Sequence, residues 1–377
     1  MGKKSEKPTI EKCFNSRYTN PYKEKDVTKI FAKDASEDEL QQLEEWRKME
    51  QSKLKNGLWK LLEFREIGAI LPLVIGFVIF AANSDKFLTF DNMINVLRVA
   101  AFTVVCAIGE SYLIISGGLD LSIGAVYSMG GVIAGLAMTT YGMPIWLSVV
   151  LALVSGALAG VLNGILIEKL EMPPFIATTG TQFVVKGLVQ GITRGNPVYP
   201  LPESFQYIGQ ENLNLFGFGI PWLVIIALVL AFIFGWILKY TTYGRKLYAV
   251  GGNGEAARLA GIPTIKMHMG AYMLSGVLAA LTGVLQASRL GSAQTTIGIG
   301  FEGTVIAGAV IGGISMAGGA GTIFGMTLGA FFMAMITNGM TLIKISAYWQ
   351  TMVTGILLIF ACSLEYIRKY FKAKLAN

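Results

Sequence analysis

Between Ile67 and Ser363 the chain is a succession of apolar stretches, joined by short polar or glycine-rich links. Most approach the length of about 20 residues that a helix needs to cross a bilayer. Inside hydrocarbon every backbone amide must find its partner within the protein, so segments of this length read as membrane helices. They run Ile67–Ala82, Leu97–Ser116, Ile123–Thr140, Pro144–Ile167, Pro174–Thr193, Ile220–Leu238, His268–Ala287, Gly303–Ile314, Thr322–Thr341 and Ser346–Ser363. The expected fold class is an all-α membrane protein of about ten transmembrane helices, with broken, glycine-rich segments and an N-terminal amphipathic helix. A mean hydropathy of +0.55 and a hydrophobic share of 53% agree with it.

Charge is concentrated before the first apolar stretch. Residues 1–66 hold 15 of the 31 basic and 13 of the 24 acidic side chains, which makes them a polar head on a membrane body. Residues 1–35 read as disordered, and 36–66 as a helix opened by Ser36 with Glu39 three positions on, a capping-box pattern. Its stripe of Leu40, Leu43, Trp46, Met49, Leu54, Leu58, Leu61 and Leu62 suits either a helix on the membrane surface or a solvated linker. The first apolar run starts too far in for a secretory signal, so the N-terminus is expected in the cytoplasm.

Lys and Arg favour the cytoplasmic side of membrane spans. The loop 239–267 carries five basic residues against Glu255 alone, and the tail 366–377 has Arg368, Lys369, Lys372 and Lys374 and no acid. The loop 194–219 has one basic residue, two acids and several prolines and aromatics, as suits an outer face. With six stretches before the loop and four after it, a cytoplasmic N-terminus puts every one of these segments on its expected side of the membrane. The pI near 9.1 then reflects spans and their flanks, and no basic-and-aromatic stripe suggests nucleic acid.

Several functions are excluded on residue grounds. Cys13, Cys106 and Cys362 are too scattered for a disulfide framework, and a single histidine, His268, leaves no cysteine–histidine metal set. There is no nucleophile with a base, no paired carboxylates at useful spacing and no phosphate loop. The chain is expected to be a transporter subunit without a cofactor of its own, not an enzyme.

Glycine, 45 residues in all, recurs at intervals of four inside the apolar stretches, where small residues let helices approach closely. Two runs, Gly117–Gly124 and Gly312–Gly321, are denser than packing requires and read as breaks, one in each half. Asp120 in the first break either caps the next helix together with Ser122 or contributes to a substrate path. Asn163, Phe175, Thr178, Thr179, Gln182, Lys186 and Asn338 are candidates for the lining of a hydrophilic path, with Phe175 and Trp349 able to stack on a sugar face. Glu302 and Arg289 are expected near the outer rim, in a polar contact or a salt bridge, and Glu110 as a hydrogen-bonding link between helices.

The stretch Lys239–Met269 is the one long polar island. Asn253 can cap a helix, Glu255 sits in its first turn, and Gly261 with Pro263 stops it. A helix of about two turns has little stability alone, so its use is to dock into something.

The motifs GGLDLSIG (Gly117–Gly124), MPPFIATTGT (Met172–Thr181), GRKLYAVGGNGEAARLAGI (Gly244–Ile262), GIGFEGTVIAGAVIGG (Gly298–Gly313) and GGAGTIFG (Gly318–Gly325) occur in this order. They resemble the permease subunits of bacterial ABC sugar importers of the ribose/xylose/galactoside group and, more distantly, branched-chain amino-acid permeases. The resemblance covers about residues 67–365. It implies a paired permease, two copies or two homologues, with a separate ATPase that uses ATP and Mg and an extracytoplasmic sugar-binding protein. Glu255, Ala256, Ala257, Arg258 and Gly261 match the signature of the coupling helix that docks on the ATPase. The implied solute path passes Asp120, Ser122, Asn163, Phe175, Thr178, Thr179, Glu302 and Asn338.

Three departures stand out. Glu302-Gly303-Thr304 replaces the family's common Glu-Leu-Asp, Glu110 stands where an uncharged residue is expected, and the head is unusually long. An ion-coupled or facilitative carrier, working without an ATPase, is the alternative that Asp120 and Glu110 would support.

Overall fold

The computed structural model describes residues 67–215 and 218–376. The amphipathic helix expected over 36–66 lies outside the described residues. In chain order the helices are α1 (Ile67–Asn83), α2 (Phe90–Ser116), α3 (Ile123–Thr139), α4 (Ile145–Glu168), α5 (Pro174–Thr193) and α6 (Glu203–Gln210). After the antiparallel strands β1 (Asn212–Leu215) and β2 (Phe218–Pro221) come α7 (Trp222–Tyr240), α8 (Thr242–Gly252) and α9 (Gly254–Leu259). The last four are α10 (Thr264–Leu290), α11 (Phe301–Ile311), α12 (Ile323–Leu342) and α13 (Ala347–Ala376). Five of them, α2, α4, α7, α10 and α12, are long and apolar enough to cross a membrane.

Each apolar stretch of the sequence contains a helix at its expected position. Four elements were not expected: α8, and the unit of α6 with β1 and β2 in the loop before α7. The strands are too short to show a clear alternation, and α6 holds less than three turns. That unit and the chain leading into it are fastened to the end of α10 and the loop after it. Val198 and Ala293 exchange backbone hydrogen bonds of 3.0 and 2.9 Å, and the Ser288 hydroxyl donates to the Phe205 carbonyl at 2.6 Å.

Helices α2 and α10 form the interior. Helix α2 is enclosed along nearly its whole length, from Ala100 to Ser116 without interruption. Glycine explains how α10 takes three partners. A methyl group on Gly276 would overlap the carbonyl of Gly156 in α4, one on Gly283 the carbonyl of Tyr127 in α3, and one on Gly109 the backbone of Ser275. Helices α11 and α12 pack the same way through Gly308 and Gly312 against Gly325 and Gly329. Backbones approach this closely only where side chains are missing, which supplies the dispersion contact that holds helices together in lipid.

The periphery is apolar where it is exposed: Val74, Ile75, Val78 and Ile79 on α1, Val154 and Leu158 on α4, Val229, Phe232 and Trp236 on α7. Water would not tolerate apolar faces of this extent, and acyl chains cover them at no cost. The molecule is a multi-pass membrane protein.

Candidate functional site

Helix α2 ends at Gly117, whose φ of 97° is left-handed and open to glycine. Its amide bonds the Ile114 carbonyl, and the Gly118 amide bonds that of Leu113, so the helix is closed by a glycine turn. The chain then runs back along α2, and the amide of Asp120 donates to Glu110 Oε1 at 3.1 Å. Glu110 stands six positions before the end of the helix, about 9 Å deeper at the rise of an α-helix.

At that depth a sealed polar cluster forms. Asp120 Oδ1 accepts from the Ser122 amide at 2.7 Å, the Ser122 hydroxyl at 2.6 Å and Asn163 Nδ2 of α4 at 3.2 Å. Asn163 Nδ2 also donates to the Ser122 hydroxyl at 2.9 Å, and the Ser275 hydroxyl of α10 donates to Glu110 Oε2 at 3.3 Å. All five side chains are fully enclosed. Asp120 therefore organises the start of α3 through the turn at Ser122, and Glu110 links α2 to α10 by hydrogen bond. Asp120 Oδ2 and Asn163 Oδ1 find no hydrogen-bond partner among the described residues.

The other candidates are distributed along other elements. On α5, Thr178 is buried and donates to the Pro174 carbonyl at 2.8 Å, Thr179 Oγ1 is buried without a partner among the described residues, and Phe175 is 63% exposed. Glu302, in the first turn of α11, accepts from Gln182 of α5 at 3.2 Å, and its free oxygen faces Gly124 at the start of α3. Glu302 is thus held by an amide, while Arg289 lies 5.7 Å from the ring of Phe102. That cation–π arrangement takes the place of the rim salt bridge.

Asn338 does not join the Asp120 cluster. It forms a reciprocal amide pair with Asn92 at 2.9 and 3.0 Å, tying α12 to the start of α2. Trp349 is exposed beside an open cleft lined by Lys344, Ser346 and Met352. Among the described residues no group of three His, Cys, Asp or Glu side chains is placed to hold a metal.

The polar island is two helices joined at Asn253, whose backbone is extended. Helix α8 is opened by the hydroxyl of Thr241, which accepts from the Gly244 amide, and α9 by Asn253, whose Oδ1 accepts from the Ala256 amide at 2.9 Å. At its far end Gly261, with φ 79°, donates to the Arg258 carbonyl, and Ile262 donates to Ala257. Glu255, Ala256 and Arg258 point outward, as does Leu259 at 81% exposure. Ala257 faces inward, so its small size serves packing within the chain rather than approach by a partner. Leu259 went unnoticed in the sequence because a single leucine in a short helix is read as its inner face.

At the root of this island, His268 fastens three helices. Its Nδ1 lies 2.6 Å from Glu168 Oε1 at the end of α4, and its Nε2 lies 2.8 Å from the Ser116 carbonyl at the end of α2.

A polytopic helical protein with buried broken segments and an exposed capped helix on a polar loop is a membrane transport permease in outline, and the comparisons agree. The family described as "Branched-chain amino acid transport system / permease component" matches residues 92–362. The chain is 37% identical over 305 residues to the ribose import permease protein of Bacillus subtilis, covering 80% of this chain and 92% of the relative. The galactose/methyl galactoside import permease protein of Haemophilus influenzae is 30% identical over 334 residues, at 85% and 98% coverage. The ribose import permease protein of Escherichia coli is 34% identical over 311 residues, at 80% and 92%. No solved structure matches. The chain belongs to this family of transport permeases and is a transporter component, not an enzyme. The ion-coupled or facilitative carrier is set aside on that ground.

Proposed function

We propose that this chain forms the membrane pathway of an ABC importer for a monosaccharide of pentose or hexose type. Ten spans, with both termini in the cytoplasm, would put α8 and α9 on the cytoplasmic side and the α6–hairpin unit outside. An ATPase that hydrolyses MgATP docks on α9, and a sugar-binding protein delivers the solute at the opposite end. A second permease copy, identical or homologous, completes the pathway.

The observation that carries the coupling role is α9 itself, a six-residue helix capped at both ends. Exposed Leu259 supplies an apolar anchor beside Glu255 and Arg258, the arrangement of a helix made to enter a groove. The solute path is assigned to Asp120, Ser122, Asn163, Phe175, Thr178, Thr179, Glu302 and Asn338. Because the Asp120 cluster is enclosed, it acts on solute only after the first break opens, whereas Phe175 presents its ring without rearrangement.

The test is purification of the chain with its native partners, and then uptake of ribose and galactose into vesicles. Replacing Glu255 and Arg258 with alanine, together with Leu259→Asp, should release the ATPase or uncouple hydrolysis from uptake while the permease stays folded. Normal coupled uptake in that triple variant would sink the coupling assignment.

A further inference from the structure

Three separate pieces of chain meet at the C-terminal end of α2, and they meet through backbone. Gly319, in the break between α11 and α12, donates its amide to the Ile115 carbonyl at 2.8 Å. Gly251, in the last turn of α8, packs against the same carbonyl so closely that a methyl group there would overlap it and come within 2.7 Å of the Gly319 nitrogen. Gly318 and Gly319 are both left-handed, with φ of 80° and 68°, and a methyl group on either would lie 2.6 Å from the backbone of Gly251 or Gly252. One turn back on α8, the Tyr248 hydroxyl donates to the Gly321 carbonyl at 2.7 Å.

This junction is where three elements with distinct roles end. Helix α8 leads through Asn253 directly into α9. The end of α2 leads through Gly117 into the first break and its Asp120 cluster. The Gly318–Gly321 turn closes the second break and leads into α12. Side chains would separate these segments with soft, adaptable contacts; bare backbone in contact has little room to give, so a displacement of one segment moves its neighbours.

We propose that Gly251, Gly319 and Tyr248 are the positioning residues that carry the motion of the coupling helix into both broken segments at once. The inference rests on the coupling role proposed above for α9. It assigns a mechanical duty to α8, which would otherwise be a connecting helix, and accounts for α8 and the second break meeting on one carbonyl, that of Ile115, two residues before the first break begins.

Hydrogen–deuterium exchange on the purified permease–ATPase complex, with and without MgATP, tests it. The wild-type complex should show an ATP-dependent change in the peptides covering Leu113–Gly124 and Gly312–Gly325. In Gly251→Ala that change should be lost while ATP is still hydrolysed. In Tyr248→Phe, which preserves shape and removes one hydrogen bond, it should fall by roughly two- to tenfold. A wild-type complex without the change, or a change of wild-type size in both variants, overturns the proposal.

If Gly251→Ala does not assemble, Tyr248→Phe decides. A change that vanishes in Glu255→Ala with Arg258→Ala but survives in both junction variants would leave the coupling helix standing and remove the junction. Failure of any ATPase to accompany the wild-type permease would instead remove the coupling reading itself.

Discussion

The two broken segments use the same residue to opposite ends. In the first, Gly117–Ser122, glycine occupies the turn, and side chains organise the remainder: one aspartate holds three donors contributed by Ser122 and α4, and its amide is held by Glu110. In the second, Gly312–Gly321, the described contacts are chiefly backbone: the Ser315 amide bonds the Ala320 carbonyl, Gly318 bonds Ser315, and Gly319 bonds Ile115. Buried polar groups that lose their partners are costly inside a membrane bundle, so the first break depends on its side-chain hydrogen bonds. The second is held by backbone hydrogen bonds and by the close approach of glycines. Glycine density alone, which looks alike in both, does not reveal this difference.

The difference can be broken by substitution. Asp120→Ala takes the acceptor from the Ser122 amide and hydroxyl and leaves Asn163 Nδ2 only the Ser122 hydroxyl, and thermal unfolding in detergent should show a loss of about 3 kcal/mol or more. Gly312→Ala attacks the second break through volume: its methyl group would meet the backbone of Gly325 and Met326, for a loss of roughly 1–3 kcal/mol by the same assay. If Gly312→Ala proved the more damaging of the two, the division into a break held by side chains and a break held by backbone would be wrong.

Two smaller effects sharpen the comparison. Thr322→Ala removes the side-chain acceptor of the Gly325 amide at the start of α12, worth about 1 kcal/mol as a helix cap. Gly180→Ala on α5, where a methyl group meets nothing within 4 Å, should leave stability unchanged or raise it by up to about 1 kcal/mol through the helix preference of alanine. A large loss at Gly180 would mean that this open face is covered in the assembled transporter, and crosslinking of the complex would then identify what covers it.

The helices were legible because their signal is additive: some twenty apolar residues in a row outweigh any single position. The α9 cap was legible because Asn253 and Gly261 act on the backbone a few residues away, within reach of a short sequence window. Partnership across helices was not legible. Asn163 and Asn338 look equivalent as lone amides in apolar stretches, yet one closes the Asp120 cluster and the other pairs with Asn92. Which of these occurs depends on α2 and its register against α4 and α12, and no local pattern encodes that. The β1–β2 hairpin escaped for a related reason, since its short strands are secured from outside, where Arg98 of α2 donates to Asn212 at 2.7 Å.

The position of α10 has a consequence for biosynthesis. Helices α2, α3 and α4 all seat glycine or its close neighbours on α10, which leaves the ribosome only after α5, α7 and their links have been made. Until then Glu110 lacks the Ser275 hydroxyl, and three inserted helices wait with unfilled grooves. A nascent chain halted before Thr264 therefore lacks the surface on which α2, α3 and α4 are seated, and the interior is completed only when α10 joins them.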